Sequence, residues 1–175
     1  MLPEPVRLYD QPRAPNPRRV NIFLAEKGIE IPRESVDLMA GAHREAGFLG
    51  KVGAAQVPAL ELSDGTVLTE TQAICRYLEA LHPEPDLMGR DALEAAMIEM
   101  WQRRVEFGLF HTVAACFRHT NPRMAVLETQ IPDYGTEMRG RIAGHLEALD
   151  ARLEGPDCVA AARLTLADPP ALVGA

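Results

Sequence analysis

Cysteine is scarce in this chain of 175 residues, and its three copies are widely scattered. Cys75, Cys116 and Cys158 form no Cys-x-x-Cys pair, and their number is odd. Proteins held together by disulfides carry an even set of closely spaced cysteines, so we expect no disulfide framework and a reducing compartment, the cytoplasm. The five histidines also lack the short spacing of zinc ligands, and we expect no metal site.

An excess of basic residues and a long apolar run are missing as well. The formal net charge is −7, whereas a nucleic-acid-binding protein needs a basic face. No apolar run approaches the roughly 20 residues that span a bilayer. The first residues, MLPEPVRLYD, carry acids and prolines where a signal peptide has a cationic and apolar leader. We therefore expect neither nucleic acid nor a membrane among the partners.

The residues that are present begin with a strand–helix–strand pattern. Val6–Tyr9 reads as a short strand and Ile31–Asp37 as a second one. Between them we predict a helix from Asn16 to about Lys27, because asparagine followed by proline is a favoured helix start. Gly28 suits the cap at its C-terminal end. Residues 40–55 are rich in glycine and alanine, and we expect them to be irregular, with one short helix at most.

The segment QVPALELSDGTVLTET, residues 56–71, combines several signals for turns and helix ends. Ala59–Leu62 and Val67–Leu68 flank an Asp-Gly turn and predict a β-hairpin. A helix is predicted from Thr69 onward. A cis bond before Pro58 costs only about 0.5–1 kcal/mol, and a turn at that point leaves the N–H and C=O of Val57 outside the sheet.

The second half of the chain is predicted to be helical. Two prolines and a glycine in HPEPDLMGR, residues 82–90, indicate a linker. Helices are predicted over Asp91–Thr120 and Thr136–Glu154. Their apolar residues recur at helical spacing, at Leu93, Met97, Met100 and Trp101 in the first and at Ile142, Leu146, Leu149 and Leu153 in the second. We predict an α/β domain of residues 1–81, the linker 82–90, and an all-helical domain of residues 91–175.

These segments together resemble the cytosolic glutathione S-transferase family, in its bacterial, serine-type pattern. The resemblance covers LYDQPRAPNPRRVNIFLAEKGI, VPALELSDGTVLTETQAICRYLE and VAAARLTLAD. It implies a thioredoxin-like N-terminal domain of order βαβ-α-ββα with a mixed sheet, followed by an all-α domain. It also implies a cytoplasmic homodimer that uses glutathione as cosubstrate, without a metal, in detoxification.

The resemblance assigns a glutathione site to the first domain. It implies that the backbone at Val57 and Pro58 pairs with the cysteinyl part of glutathione, that Thr71 binds the γ-glutamyl carboxylate, and that Glu70 meets the ammonium group. The free N–H groups at a helix start favour that carboxylate. The other interpretation is that threonines cap this helix and Glu70 only complements its dipole.

Two further residues match positions of the family that often reach the glycyl end of the ligand. They are His43 and Gln56, and for both a role as ordinary solvated surface residues stays open. Cys75 lies in the middle of an apolar helix, and we expect an inert packed thiol there.

The resemblance does not extend to the hydroxyl group that stabilises the thiolate. A thiol with a pKa near about 8.5 is only a few per cent ionised at neutral pH, so a transferase must stabilise the thiolate. Where serine-type members carry the hydroxyl, this sequence has Ala14. The nearby donors are Asn16, our candidate catalytic residue, then Tyr9, and the start of the helix itself.

A wall for the electrophile is expected between the domains, beside the long helix. The candidates recur at helical spacing and are Trp101, Arg104, Phe107 and His111. Packing between helices or a dimer contact explains the same residues equally well.

The chain departs from the family pattern near its end. Thr165 and Asp168 keep a capping box, but Pro169 and Pro170 follow, and we expect them to damage the helix that begins there. The chain ends at Ala175, so we expect the helical domain to be incomplete at its C-terminus.

The predicted activity is transfer of the glutathione thiolate to small, largely apolar electrophiles that carry alkyl or aryl groups. The alternative is a non-catalytic glutathione-binding or protein-interaction module of the same fold, which Ala14 and the short C-terminus favour. Isomerase and peroxidase activities differ only in the second substrate and stay open.

Overall fold

The computed structural model describes residues 2–155 and 157–174. Internal contacts divide the chain into two compact units that meet at the peptide bond between Pro85 and Asp86. Met1 and Ala175, the ends of the predicted domains, lie outside the described residues, as does Pro156. No helix in the described ranges combines the length and the hydropathy needed to cross a bilayer.

The first unit is built on a mixed four-stranded sheet. Its strands are β1 (Pro5–Asp10), β2 (Arg33–Ser35), β3 (Ala59–Leu62) and β4 (Val67–Leu68), in the spatial order β2-β1-β3-β4. β1 runs parallel to β2 and antiparallel to β3, and β3 and β4 form the predicted hairpin. The predicted fold is confirmed. β2 is shorter than its prediction because only three of the seven residues pair with β1.

Three helices accompany this sheet. They are α1 (Pro15–Lys27), α2 (Ala46–Val52) and α3 (Thr71–Leu81), and a 3₁₀ turn (Ala42–Arg44) precedes α2. Tyr9 packs on one side of the sheet with Val57. Leu8 is its neighbour in β1, so its side chain lies on the opposite side, and it is fully buried. α1 and α3 pack against each other, and Phe23 and Leu24 are among the buried residues of α1.

The start of α1 differs from its prediction. The helix begins at Pro15, with Ala14 at the N-cap position and no side-chain cap, so Asn16 lies inside the first turn. Pro15 explains the shift, because its fixed φ suits the first helical residue and its missing N–H is not needed there. Gly28 ends the helix as predicted, in the left-handed conformation at φ 64°.

The second unit is helical. α4 (Ala92–Val105), a π-helical segment (Glu106–Phe110) and α5 (His111–Thr120) form one continuous helical stretch, as predicted. A 3₁₀ turn (Pro122–Val126), α6 (Pro132–Leu153) and α7 (Asp168–Gly174) follow.

The apolar spacing on these helices identifies their buried faces only in part. On α4 the buried residues are Ile98, Gln102 and Val105, whereas Leu93 of the predicted stripe is 74% exposed. On α6 only Gly135 and Met138 are buried, and Leu146 and Leu153 are exposed. Both helices carry apolar residues on more than one side, so the neighbouring helix decides which side is buried, and spacing alone does not identify it.

The predicted capping box is confirmed, and the expected damage by the prolines is not found. Asp168 accepts hydrogen bonds from the N–H of Thr165 at 2.7 Å and from its hydroxyl at 3.0 Å. Pro169 and Pro170 both lie in the first turn of α7. Amide groups of a first turn have no acceptor inside the helix, so two residues without N–H cost no hydrogen bond at this place.

Candidate functional site

The loop before β3 presents a free stretch of backbone. The Val57–Pro58 bond is cis. The side chain of Val57 packs in the cluster around Tyr9 and is buried, while Gln56 next to it is exposed. Within the described part of the chain, the N–H and C=O of Val57 have no hydrogen-bond partner. An extended peptide can therefore pair with this residue without displacing an existing bond.

Glu70 is held in an unusual backbone conformation. Its φ is 66° and its ψ is 120°, and it is the one non-glycine residue with positive φ among those described. Such a conformation costs about 1–3 kcal/mol and persists at sites where the surrounding structure enforces it. The Oε1 atom of Glu70 accepts a hydrogen bond of 2.7 Å from Nε2 of Gln56. The structure therefore brings two of the predicted ligand-binding residues together.

The start of α3 carries unpaired amide groups. Its first internal hydrogen bond joins the N–H of Ile74 to the C=O of Glu70 at 3.0 Å, and none of the described side chains caps the helix. The alternative in which threonine caps this helix is therefore wrong. Thr71, the first helical residue, is buried, and its N–H points out of the helix with those of the next two residues. This geometry suits a carboxylate.

Gln72 was missed by the sequence analysis. It follows Thr71 in the first turn of α3, and both polar atoms of its side-chain amide are buried without a hydrogen-bond partner among the described residues. A buried amide without partners is costly, so a bound molecule that pairs with it gains affinity. No sequence signal identifies it, because glutamine is common on helices.

His43 lies in the 3₁₀ turn before α2 and is 6% exposed, so its interpretation as a solvated surface residue is wrong. Burial lowers the pKa of its imidazole, and the charge of Arg44 lowers it further. Its Nδ1 atom has no hydrogen-bond partner within residues 2–155 and 157–174. The structure shows no hydrogen bond between His43 and the other predicted ligand-binding residues.

The start of α1 offers few donors for a thiolate. Pro15 and Pro17 have no N–H, and the N–H of Arg18 bonds to the C=O of Ala14 at 3.1 Å. Within the part of the chain that the structure describes, the N–H of Asn16 has no partner. The side-chain Oδ1 of Asn16 accepts a hydrogen bond of 3.1 Å from Nη1 of Arg19. Its amide nitrogen remains available.

The hydroxyl of Tyr9 and the thiol of Cys75 are not available for chemistry. The hydroxyl of Tyr9 donates a hydrogen bond of 2.7 Å to Oε2 of Glu61, and burial raises the pKa of Tyr9. Cys75 is fully buried, and burial raises the pKa of its thiol to about 12, which agrees with the expected inert thiol.

The four electrophile candidates separate into two pairs on the helical unit. The ring of Trp101 lies under the guanidinium of Arg104 at 5.0 Å and that of Arg152 at 5.1 Å. Phe107 and His111 form an edge-on ring contact at 5.6 Å. Only this second pair borders a cleft of about 580 Å³. The rest of the cleft is lined by Thr112, Tyr134, Glu137, Met138, Arg141 and His145.

The cleft lies beside the π-helical segment. Gly108 of that segment packs against the imidazole of His145, and a Cβ atom at residue 108 would lie 3.1 Å from its Nδ1 atom. The described residues contain no group of three or more His, Cys, Asp or Glu side chains arranged to hold a metal ion.

Comparison with known proteins gives consistent matches along the chain. Residues 14–81 match the family model described as "Glutathione S-transferase, N-terminal domain". Glutathione S-transferase 2 of Saccharomyces cerevisiae is 33% identical over 171 residues, which are 95% of this chain and 73% of that protein.

Solved structures agree with these sequence matches. A glutathione S-transferase domain-containing protein of Marinobacter aquaeolei has a TM-score of 0.91 and 36% identity, and the match covers 97% of this chain and 84% of that one. Human glutathione transferase theta-2, solved with glutathione, has a TM-score of 0.84 and 25% identity, over 96% of this chain and 70% of that one.

Proposed function

Because the chain belongs to the glutathione S-transferase family, we propose that it conjugates the thiolate of glutathione with small, largely apolar electrophiles. The homologues support a glutathione-conjugating enzyme and do not favour the non-catalytic module. We further propose that residues 1–81 bind glutathione and that residues 91–175, after the linker 82–90, form the helical domain.

The strained backbone of Glu70 beside the uncapped start of α3 is the observation that carries this proposal. Glutathione is an extended tripeptide with a free carboxylate and ammonium at its γ-glutamyl end. In the proposed complex the carboxylate binds the N–H groups that open α3 and the hydroxyl of Thr71, while Glu70 pairs with the ammonium. The cysteinyl backbone pairs with the free N–H and C=O of Val57. His43 and Gln56 contact the glycyl end.

Asn16 is the proposed donor to the thiolate. Its backbone N–H and its side-chain nitrogen both lack partners in the described structure and lie at the positive end of α1. A hydrogen bond to a charged group contributes about 1.5–3 kcal/mol, which corresponds to a lowering of the thiol pKa by one to two units. No metal ion takes part in this scheme.

Titration calorimetry with glutathione and a conjugation assay with an activated aryl halide test the function together. We expect binding by the wild type and turnover that falls about 10-fold in Asn16→Ala, because one donor to the thiolate is lost while the carboxylate site stays intact. Binding without any turnover would support the non-catalytic module. Turnover in Asn16→Ala equal to wild type would exclude the side chain of this residue as a donor to the thiolate.

Replacement of Glu70 by glycine separates strain from binding. Glycine adopts positive φ without strain. In the absence of ligand, we therefore expect the free energy of unfolding of Glu70→Gly to equal that of the wild type or to exceed it by up to about 1 kcal/mol. Glutathione affinity should fall about 10-fold or more, because the partner of the ammonium is lost.

Glu70→Ala is the matched control for that variant. It removes the same carboxylate but keeps a Cβ at positive φ, so it should lose the affinity without gaining stability. Thermal unfolding and calorimetry measure the two quantities separately. If the glycine variant is the less stable of the two, the strain at this residue does not matter to the fold.

The electrophile and the assembly complete the proposal. Phe107 and His111 supply aromatic contacts for the electrophile, with Trp101 and Arg104 on the same helical stretch. We propose a cytoplasmic homodimer that acts in detoxification. Light scattering on the purified protein tests the dimer.

A further inference from the structure

Arg19 lies one turn after Asn16 on α1 and is 2% exposed. Its Nη1 atom donates to Oδ1 of Asn16 at 3.1 Å. A guanidinium has five N–H donors and no acceptor, and it stays protonated at every pH at which an enzyme works. A buried arginine in this place therefore always presents a donor to Asn16.

The amide of Asn16 has two chemically different ends. Its oxygen repels a thiolate, and its nitrogen donates to one. A free asparagine amide can turn by 180° and present either end. Because Arg19 can bond only to the oxygen, the hydrogen bond between them fixes the amide so that its nitrogen faces away from Arg19, and this nitrogen has no partner within the described ranges.

We infer that Arg19 is a positioning residue for catalysis, which fixes the side-chain amide of Asn16 as a donor to the glutathione thiolate. This inference rests on the proposed role of Asn16. It differs from a purely structural role, because a structural arginine would affect the stability of the protein without affecting the ionisation of the bound thiol.

The positive charge of Arg19 acts in the same direction. Its field reaches the neighbouring thiol of Cys75, whose pKa it lowers against the larger effect of burial. A cation buried in the helix pair α1–α3 also favours a thiolate at the start of α1. Experiment can separate the direct effect of this charge on the thiolate from the orientation of the amide, because only the second effect requires Asn16.

The test measures the pKa of the enzyme-bound thiol from the ultraviolet absorbance of the thiolate as a function of pH, with saturating glutathione. Arg19→Met should raise this pKa by about half to one unit, since the lost orientation removes much of a charge-assisted hydrogen bond. Arg18→Met is the matched control, because Arg18 is an exposed arginine on the same turn. It should shift the pKa by no more than about 0.3 unit.

A double-mutant cycle distinguishes positioning from a direct charge effect. If Arg19 acts through Asn16, Arg19→Met should raise the bound-thiol pKa by less in the Asn16→Ala background than in the wild type, and the shift that remains there measures the direct effect of its charge. Fully additive shifts would overturn the positioning role.

A second variant keeps the test decisive if Arg19→Met does not fold. Arg19→Gln retains a polar end group, but its amide offers a donor or an acceptor to Asn16, so the orientation is lost and the pKa should still rise. A wild-type pKa in folded Arg19→Gln or Arg19→Met would overturn the inference.

The outcome for Asn16→Ala separates this inference from the proposed function. If Asn16→Ala leaves the pKa of the bound thiol unchanged, the side-chain amide is not the donor and the role of Arg19 is wrong with it. If Asn16→Ala raises the pKa and the Arg19 variants do not, only the inference about Arg19 fails.

Discussion

Replacement of Asp168 by alanine is expected to lower the free energy of unfolding by about 3–5 kcal/mol. The carboxylate is 7% exposed and joins two segments of the helical unit. Its Oδ2 atom accepts from the N–H and the hydroxyl of Thr165, and its Oδ1 atom accepts from the N–H of Val159 at 2.7 Å.

The size of this effect follows from the donors that remain. Alanine removes the one acceptor that serves three buried donors, and each buried polar group without a partner costs about 1–3 kcal/mol. Water and small shifts of the chain will satisfy part of this loss, so the full sum is not expected. The loss of the capping box at the start of α7 adds no separate cost, because the bonds of that box are the Asp168–Thr165 bonds already counted.

Urea unfolding followed by circular dichroism measures the loss. Asp150→Ala is the control, because Asp150 is exposed on α6 and its replacement should change the free energy by less than about 0.5 kcal/mol. A loss below about 1 kcal/mol for Asp168→Ala would show that the three donors find other partners.

Local signals in the sequence predict much of the fold. The Asp-Gly turn identifies the β3–β4 hairpin, Gly28 identifies the end of α1, and Thr165 with Asp168 identifies the capping box. Each of these signals is complete within a few residues, because the geometry of a turn or cap is set by its own side chains.

Features that depend on contacts between distant residues could not be predicted. The buried side of α6 is decided by its contact with α5, so the apolar spacing at Leu146 and Leu153 indicates the wrong face. The left-handed backbone of Glu70 is imposed by the surrounding fold and leaves no mark in a sequence of ordinary residues.

The proposed glutathione site shows the same division. The resemblance assigns Glu70, Thr71 and Val57 to it because they stand in one short motif. It could not reveal that Arg19 bonds to Asn16, or that the amide of Gln72 is buried without a hydrogen-bond partner among the described residues, since both depend on side-chain packing.

Replacement of Lys27 by methionine is the second change for which we expect a large loss, about 3–5 kcal/mol of unfolding free energy. The side chain of Lys27 is fully buried at the end of α1. Its ammonium donates to the C=O of His82 at 2.7 Å and to that of Pro85 at 2.6 Å, and lies 2.6 Å from Oε2 of Glu79. One ammonium thus joins the end of α1 to the end of α3 and to the segment that follows it.

The loss arises from what the ammonium leaves behind. Methionine fills a similar volume, so little packing is lost, but the carboxylate of Glu79, which is mostly buried, loses the ammonium that lies 2.6 Å from it. The two carbonyl groups lose their donor as well. Chemical denaturation gives the free energy directly, with Lys51→Met as the control: Lys51 is the other lysine of the chain and is 45% exposed beside Glu61, so its replacement should cost no more than about 1 kcal/mol.

A double variant tests whether the stranded charge causes the loss. Lys27→Met/Glu79→Gln removes both charges, and we expect it to recover about 1–2 kcal/mol relative to Lys27→Met, because a buried carboxylate that has lost the Lys27 ammonium is more costly than a neutral amide. The recovery should be incomplete, since the carbonyl groups of His82 and Pro85 stay without a donor. If the double variant is no more stable than Lys27→Met, the ion pair does not account for the role of Lys27. The stabilisation then comes from its hydrogen bonds to the two carbonyl groups.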